Sequence, residues 1–194
     1  PVSMGGDSIG GTVIVNSKAP EYSKSSEIIK KGSLRSFYRS NSKAFGTNIN
    51  TVVATDRLSF KYSGNYTDAK NYSSADDFKV GATPVGRDWI NGAEAGSSAY
   101  KISNHLFDLG FKKGSSELSL KVSIQHSPYQ GLINQRMDMT GNDSRSFNFK
   151  YSDKYNWGDI ETRTYIESTD HAMNFGLDKQ YWYPNNAPGN PMDS

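Results

Sequence analysis

The strongest constraint on this chain is strict apolar–polar alternation, repeated in run after run. In Leu58-Ser59-Phe60-Lys61-Tyr62-Ser63-Gly64-Asn65-Tyr66 the large apolar and aromatic residues fall on even positions. Leu118, Leu120, Val122 and Ile124 alternate with Ser119, Lys121, Ser123 and Gln125. Phe147, Phe149 and Tyr151 alternate with Asn148, Lys150 and Ser152, and Ile160, Thr162, Thr164 and Ile166 with Glu161, Arg163, Tyr165 and Glu167. Phe45 to Thr55 carries Phe, Ile, Val and Thr on odd positions, with Gly and Asn among the even ones. A period of two belongs to extended backbone, where successive side chains point to opposite faces. Two less regular runs, Gly32–Ser40 and Tyr100–Lys112, bring the predicted strands to about seven of roughly nine to eleven residues each. The second run changes phase near Asn104 and His105, which predicts a bulge there.

The spacing of the runs adds direction. Strands two and three meet at Thr55-Asp56-Arg57, four and five at Lys112–Ser116, six and seven at Asp153–Gly158. The intervening connections are long: Thr67–Ser98, Ser127–Asp143 and everything after Thr169. The first, Asn41-Ser42, is the short exception. Tight turns at one end and long loops at the other are the layout of an outer-membrane β-barrel. One face of the runs is aliphatic and aromatic, while the other holds Lys61, Lys121, Lys150, Glu161, Arg163 and Glu167. A wet or plugged lumen accepts those charges and a dry core does not. The alternative is a soluble β-sandwich with one solvated face per sheet. Strand length and loop asymmetry favour the barrel, because strands typically run about five to six residues.

Composition excludes several classes. Lys plus Arg number 22 against 20 Asp plus Glu, without the clustered positive charge that nucleic acid needs. Cysteine is absent, so disulfides and cysteine-based zinc sites are out. No apolar run approaches the roughly 20 residues of a spanning helix. The start at Pro1-Val2 shows no charged-then-apolar leader and runs straight into a Gly-rich turn, so a fragment of a longer protein is expected.

Gly6-Asp7-Ser8-Ile9-Gly10 matches G-x-S-x-G, the form of a hydrolase nucleophile elbow. That elbow needs a strand before the serine and a helix after it. Here Thr12-Val13-Ile14-Val15 follows, a β-branched run that reads as strand, and no strand-like run precedes. No phosphate-binding loop is matched either. Ser8 reads as scaffold, and no catalytic residue is expected.

The stretch GGDSIGGTVIVNSK (Gly5–Lys18) resembles the closing segment of the plug domain in TonB-dependent outer-membrane receptors, where a Gly-rich turn and a strand finish the plug. Ser36-Phe37-Tyr38-Arg39-Ser40-Asn41-Ser42 resembles the family's first barrel hairpin, and Gln135–Asp143 and Asp178–Tyr183 resemble loop segments of a metal-associated branch. The resemblance implies an all-β fold: an antiparallel meander of about seven strands from a 22-stranded transmembrane barrel, preceded by the last plug strand. It divides the chain into the end of a plug (1–20), a connection (21–31) and an incomplete barrel (32–194). It further implies TonB-driven uptake of a scarce nutrient across the bacterial outer membrane, with the TonB complex and the lipid bilayer as partners and no enzymatic step. A passive porin-like channel and a soluble sandwich binding module are the alternatives. An isolated seven-strand ribbon leaves two edges unpaired and is not expected to transport by itself.

Candidate ligands for a cargo lie outside the alternating runs. His171 and Met173 stand two apart, so in extended backbone they share a face. Imidazole plus thioether is a soft donor set suited to Cu(I). The His-x-Met resembles the copper element of copper-type receptors, completed there by Cys-x-x-x-Met in the plug. Met4 stands near the place of that methionine, and the cysteine would precede Pro1. Met137, Met139 and Met192 are further candidates, against the alternative that methionines fill packing gaps. The cargo so implied is a metal ion, copper, or a metal chelate, with no resident cofactor. Tyr181-Trp182-Tyr183 suits stacking on a siderophore, a corrinoid or a sugar, or an interfacial belt. Tyr155 and Trp157 read as interfacial anchors, and His105 and His126 as hydrogen-bonded strand or rim residues.

Overall fold

The computed structural model describes residues 18–78, 90, 92–175 and the backbone of 192–193. The fold is all-β, a seven-stranded antiparallel meander with no helix among the described residues. Its strands are β1 (Ile29–Arg39), β2 (Ala44–Ala54), β3 (Leu58–Ala69), β4 (Tyr100–Lys113), β5 (Ser116–Gln130), β6 (Asp138–Tyr155) and β7 (Gly158–Asn174). Each pairs with the next in chain order, and a two-residue β8 (Met192–Asp193) pairs with β7. The chain turns tightly after β4, where Gly114 takes φ 61°, a left-handed value that glycine adopts without a Cβ clash.

β1 and β2 have the expected length, while β3 to β7 exceed it, reaching 18 residues in β6. The excess lies at the long-loop end, where alternation fades but backbone pairing continues. Ser127–Gln130 and Asp138–Ser146 are strand, so the expected Ser127–Asp143 loop shrinks to 131–137. Backbone groups need partners whatever their side chains, and the neighbouring strand supplies them. Near His105 no bulge forms, since Asn104 and His105 stay in register with Gln125 and Ile124. The apparent phase change arises because His105 joins the apolar face, where its ring stacks on Tyr62 with centroids 6.1 Å apart and shares a 2.8 Å hydrogen bond with the Tyr62 hydroxyl. The register shifts fall instead between Lys101 and Ser103, and between Met139 and Gly141.

The register sorts the side chains by face. Lys61, Asp108 and Lys121 lie in one cross-strand row, and Lys150 stands opposite Arg163. All six charges expected on the polar face share it. Several are paired: Lys121 with Asp108 at 3.5 Å, and Glu161 with both Lys150 and Arg163 at 2.8 Å. The opposite face carries Leu34, Ile49, Leu58, Phe60, Leu109, Phe111, Phe147 and Ile166, all exposed and reaching 71% at Leu34. Among the described residues there is one sheet, and no second sheet covers this face.

The apolar side chains form a slanted band. On β2 the band's edge toward the long loops is Phe45; on β6 and β7 it is Phe147 and Ile166. Register carries Phe147 through Val122, Phe107 and Tyr62 to Thr51 on β2. From β2 to β7, where Ile166 stands opposite Phe147, the edge therefore drifts by about six positions over five strand steps, or about 4 Å per step at ~3.3 Å per residue.

Residues 18–23 cross the polar face at the tight-turn end. Ser23 donates its amide to the Thr55 carbonyl at 2.9 Å, Glu21 pairs with Lys31, and Lys121 donates to the Lys18 carbonyl at 3.4 Å. Pro20 and Tyr22 lie over Gly110, where any Cβ would overlap them. The Glu21–Lys31 hydrogen bond holds the Glu21 carboxyl below its ordinary value. Burial pushes the Tyr22 phenol up to about 12, with Glu117 and Asp108 adding to the effect. The folded chain thus holds this proton more tightly than the unfolded chain, whose tyrosines titrate near ~10. The contribution is fully present below that value and is lost as pH rises toward about 12. A Tyr22 ring-carbon resonance followed by NMR should titrate late, and Gly110→Val, which evicts the ring, should return it to an ordinary midpoint.

Candidate functional site

Two structural features meet at the long-loop end. The first is the set of candidate soft ligands. Asp170-His171-Ala172-Met173 lies inside β7, so the extended conformation persists and His171 and Met173 share a face. His171 stands opposite Asn142 on β6, with Nδ1 3.3 Å from the Asn142 carboxamide oxygen. Met173 stands opposite Met139 on β6 and, by backbone pairing, opposite Met192 on β8. Three methionines therefore occupy consecutive positions of one cross-strand row, beside the histidine. Met139 is not in a loop as expected; it is the second residue of β6 and is buried. Met137 sits just outside β6 and is half-buried. Met4 and the aromatic residues Tyr181, Trp182 and Tyr183 lie outside the described residues. Among the described residues no three His, Asp or Glu side chains gather as metal ligands.

The second feature escaped the sequence reading. Asp138, 1% exposed, accepts hydrogen bonds from Ser97 Oγ at 2.6 Å, the Leu132 amide at 2.9 Å and the Tyr129 hydroxyl at 3.2 Å. Ser97 is held at φ 59°, and a Cβ on Gly131 would overlap the Ser97 carbonyl. The connection between β3 and β4 is thereby locked to the one between β5 and β6. It is tied to the first hairpin as well: Asn41 donates to the Ser73 carbonyl at 2.9 Å and accepts the Ser73 amide at 2.7 Å. Asn71 accepts the Ser98 and Ala99 amides and donates to Glu94. Three connections behave as one platform beside the methionine row. In sequence, Asp138 is one acidic residue among polar loop residues, and only its partners distinguish it.

His105 and His126 are hydrogen-bonded, to Tyr62 and Asp143. Both belong to the face opposite the polar one and take no part in the soft-ligand row.

Compared with protein-family models, curated proteins and solved structures, the chain matches none.

Removing the carboxylate at Asp138 leaves buried donors without an acceptor, a cost of about 1–3 kcal/mol. Asp138→Ala should therefore speed amide exchange in 92–99 and 131–137 while leaving β2 and β3 protected. Gly131→Ala, which drives a methyl into the Ser97 backbone, should do the same at a cost of about 1–3 kcal/mol.

Proposed function

We propose that these strands are one section of a TonB-dependent outer-membrane receptor, and that its cargo is a soft metal ion, copper, or a metal chelate. One observation carries the reading: the exposed apolar face is a continuous band that slants across the strands. Strands lie ~4.8 Å apart, so a drift of about 4 Å per step is what a level membrane cuts from strands tilted by about 40°. Outer-membrane barrels tilt by roughly 35–45°. A sandwich would bury that band under a second sheet, and no described element does so.

Other features support the same reading. The Tyr155 and Trp157 rings stack 5.3 Å apart in the β6–β7 turn, with Trp157 73% exposed, as interfacial anchors require. The ion-paired polar face suits a plugged lumen. The connection along 18–23 enters across that face at the tight-turn end, the side on which a plug would hand over to the barrel and on which TonB acts. His171 and Met173, with Met139 and Met192 in register, stand at the opposite end, where cargo arrives from outside. Thioether and neutral imidazole donors favour Cu(I) over hard cations such as Ca²⁺. Uptake by this route involves binding and release alone, with no bond made or broken in the cargo.

Two measurements test the proposal. Expressed within the longer receptor, the segment should float with outer membranes and resist carbonate extraction; release into solution would overturn the receptor reading. Cu(I) competition titration of the His171→Ala, Met173→Ala variant should show a loss of roughly tenfold or more. Undiminished affinity would remove these two residues as ligands and leave the barrel reading standing.

A further inference from the structure

Among the described residues two buried side-chain oxygens lack a hydrogen-bond partner, the Tyr22 hydroxyl and Asp108 Oδ1. Both lie where residues 18–23 cross the polar face. The hydroxyl sits so close over Gly110 that a Cβ there would stand 2.6 Å from it. Asp108 precedes Gly110 by two residues, on the same side of β4, and is 4% exposed. Its other oxygen is 3.5 Å from the Lys121 ammonium, and its charge bears on the Tyr22 phenol. Folded chains seldom leave such groups covered and unpaired, because each has given up its hydrogen bonds to water without replacement.

Other contacts hold the segment down. Pro20 and the Tyr22 ring cover Gly110, and Lys112 Nζ stands 5.8 Å from the ring centroid. Among the described residues one backbone–backbone hydrogen bond ties 18–23 to the rest of the fold, from the Ser23 amide to the Thr55 carbonyl in the β2–β3 turn. Beneath 18–21 a cavity of about 620 Å³ opens against Lys31, Val52, Ser59, Lys61 and Asp108, so this stretch rests on the sheet without filling the space under it.

We propose that residues 18–23 are a releasable strap, docked by the Tyr22 ring and opposed by the unpartnered Tyr22 hydroxyl and Asp108 Oδ1, which parts from the sheet while every strand stays paired. Lifting it returns both oxygens to water and opens the cavity beneath. It breaks the Ser23–Thr55 bond but none of the ladder bonds of β1 to β7. The inference stands on this contact alone and is independent of the receptor reading.

Hydrogen exchange of the Ser23 amide, followed in the full chain in nonionic detergent micelles, reads the opening directly. Tyr22→Phe keeps the ring and removes the unpartnered hydroxyl, so exchange at Ser23 should slow by roughly fivefold or more. Tyr22→Ala removes the ring as well and should speed exchange by roughly fivefold or more. The Leu120 and Val122 amides in β5 should be unchanged in both variants. Unchanged or faster exchange at Ser23 in Tyr22→Phe would overturn the proposal, because the hydroxyl would then be indifferent to docking or satisfied by it. Slower exchange in Tyr22→Ala would overturn it by showing that the ring does not hold the strap. Changes that spread to β5 would do so by showing that the segment opens only with the sheet.

Discussion

The antiparallel register is the constraint on which the rest of this structure depends. A strand has two faces, and shifting its pairing by one residue exchanges them completely. A slip of β5 would carry Lys121 to the apolar face and Leu118, Leu120 and Val122 to the polar one. On the membrane reading a lysine near the middle of the bilayer costs about 2–4 kcal/mol, so one slipped strand with its displaced apolar residues is heavily disfavoured. The Lys61–Asp108–Lys121 row and the Glu161 contacts with Lys150 and Arg163 pull in the same direction, because they form in one register alone. Individually the exposed Glu161 pairs contribute little, and the pair at buried Asp108 offsets the cost of burying its own charge. They act by making the alternatives worse.

Alternation reveals a strand where its two faces meet different surroundings, and it falls silent where they meet similar ones. That explains what could be read in advance. Leu58–Tyr66 and Leu118–Ile124 carry apolar side chains on one face and polar or charged ones on the other, so their facing was legible. Ser127–Gln130 and Asp138–Ser146 are equally extended but mostly polar on both sides, and they read as loop. His105 shows the converse failure. A polar residue on an apolar face mimics a phase change, though Tyr62 satisfies one of its ring nitrogens and the strand continues undisturbed. Asp138 marks the deeper limit: its role is set by Ser97 and Leu132 in two different connections, and no local pattern announces such a meeting.

The two ends of the sheet are built by different means. At the tight-turn end, short hairpins fix the strands, and residues 18–23 lean on the polar face through contacts that are individually weak: an exposed Glu21–Lys31 pair, one backbone hydrogen bond from Ser23, and the Tyr22 ring over Gly110. At the long-loop end, order comes from the buried polar contacts around Asp138, joined by the part-buried bonds of Asn71 to Ser98 and Ala99 and by the exposed Asn41–Ser73 pair. Buried hydrogen bonds tolerate little displacement, because separating them leaves donors stranded. The sheet thus joins a few contacts at one end to a connected hydrogen-bond network at the other. On the receptor reading that division suits the task, since capture favours a preorganised surface and release a segment that can part from the wall.

The position of the soft-ligand row follows from the same ladder. Met139, Met173 and Met192 line up because β6, β7 and β8 pair in sequence, and the register shift between Met139 and Gly141 is what brings Met139, rather than Thr140, opposite Met173. Without that shift the continuous register from Asn142–His171 would set Thr140 against Met173 and replace a thioether by a hydroxyl in the row. Bulges re-aim residues at the ends of strands and are found preferentially at rims and near sites. Here one inserted residue sets Met139 rather than Thr140 opposite Met173, in a row that the backbone ladder continues into β8. On the receptor reading, the geometry of the cargo site is therefore fixed by strand pairing, and disturbing the β6–β7 register would dismantle it even with every ligand residue intact.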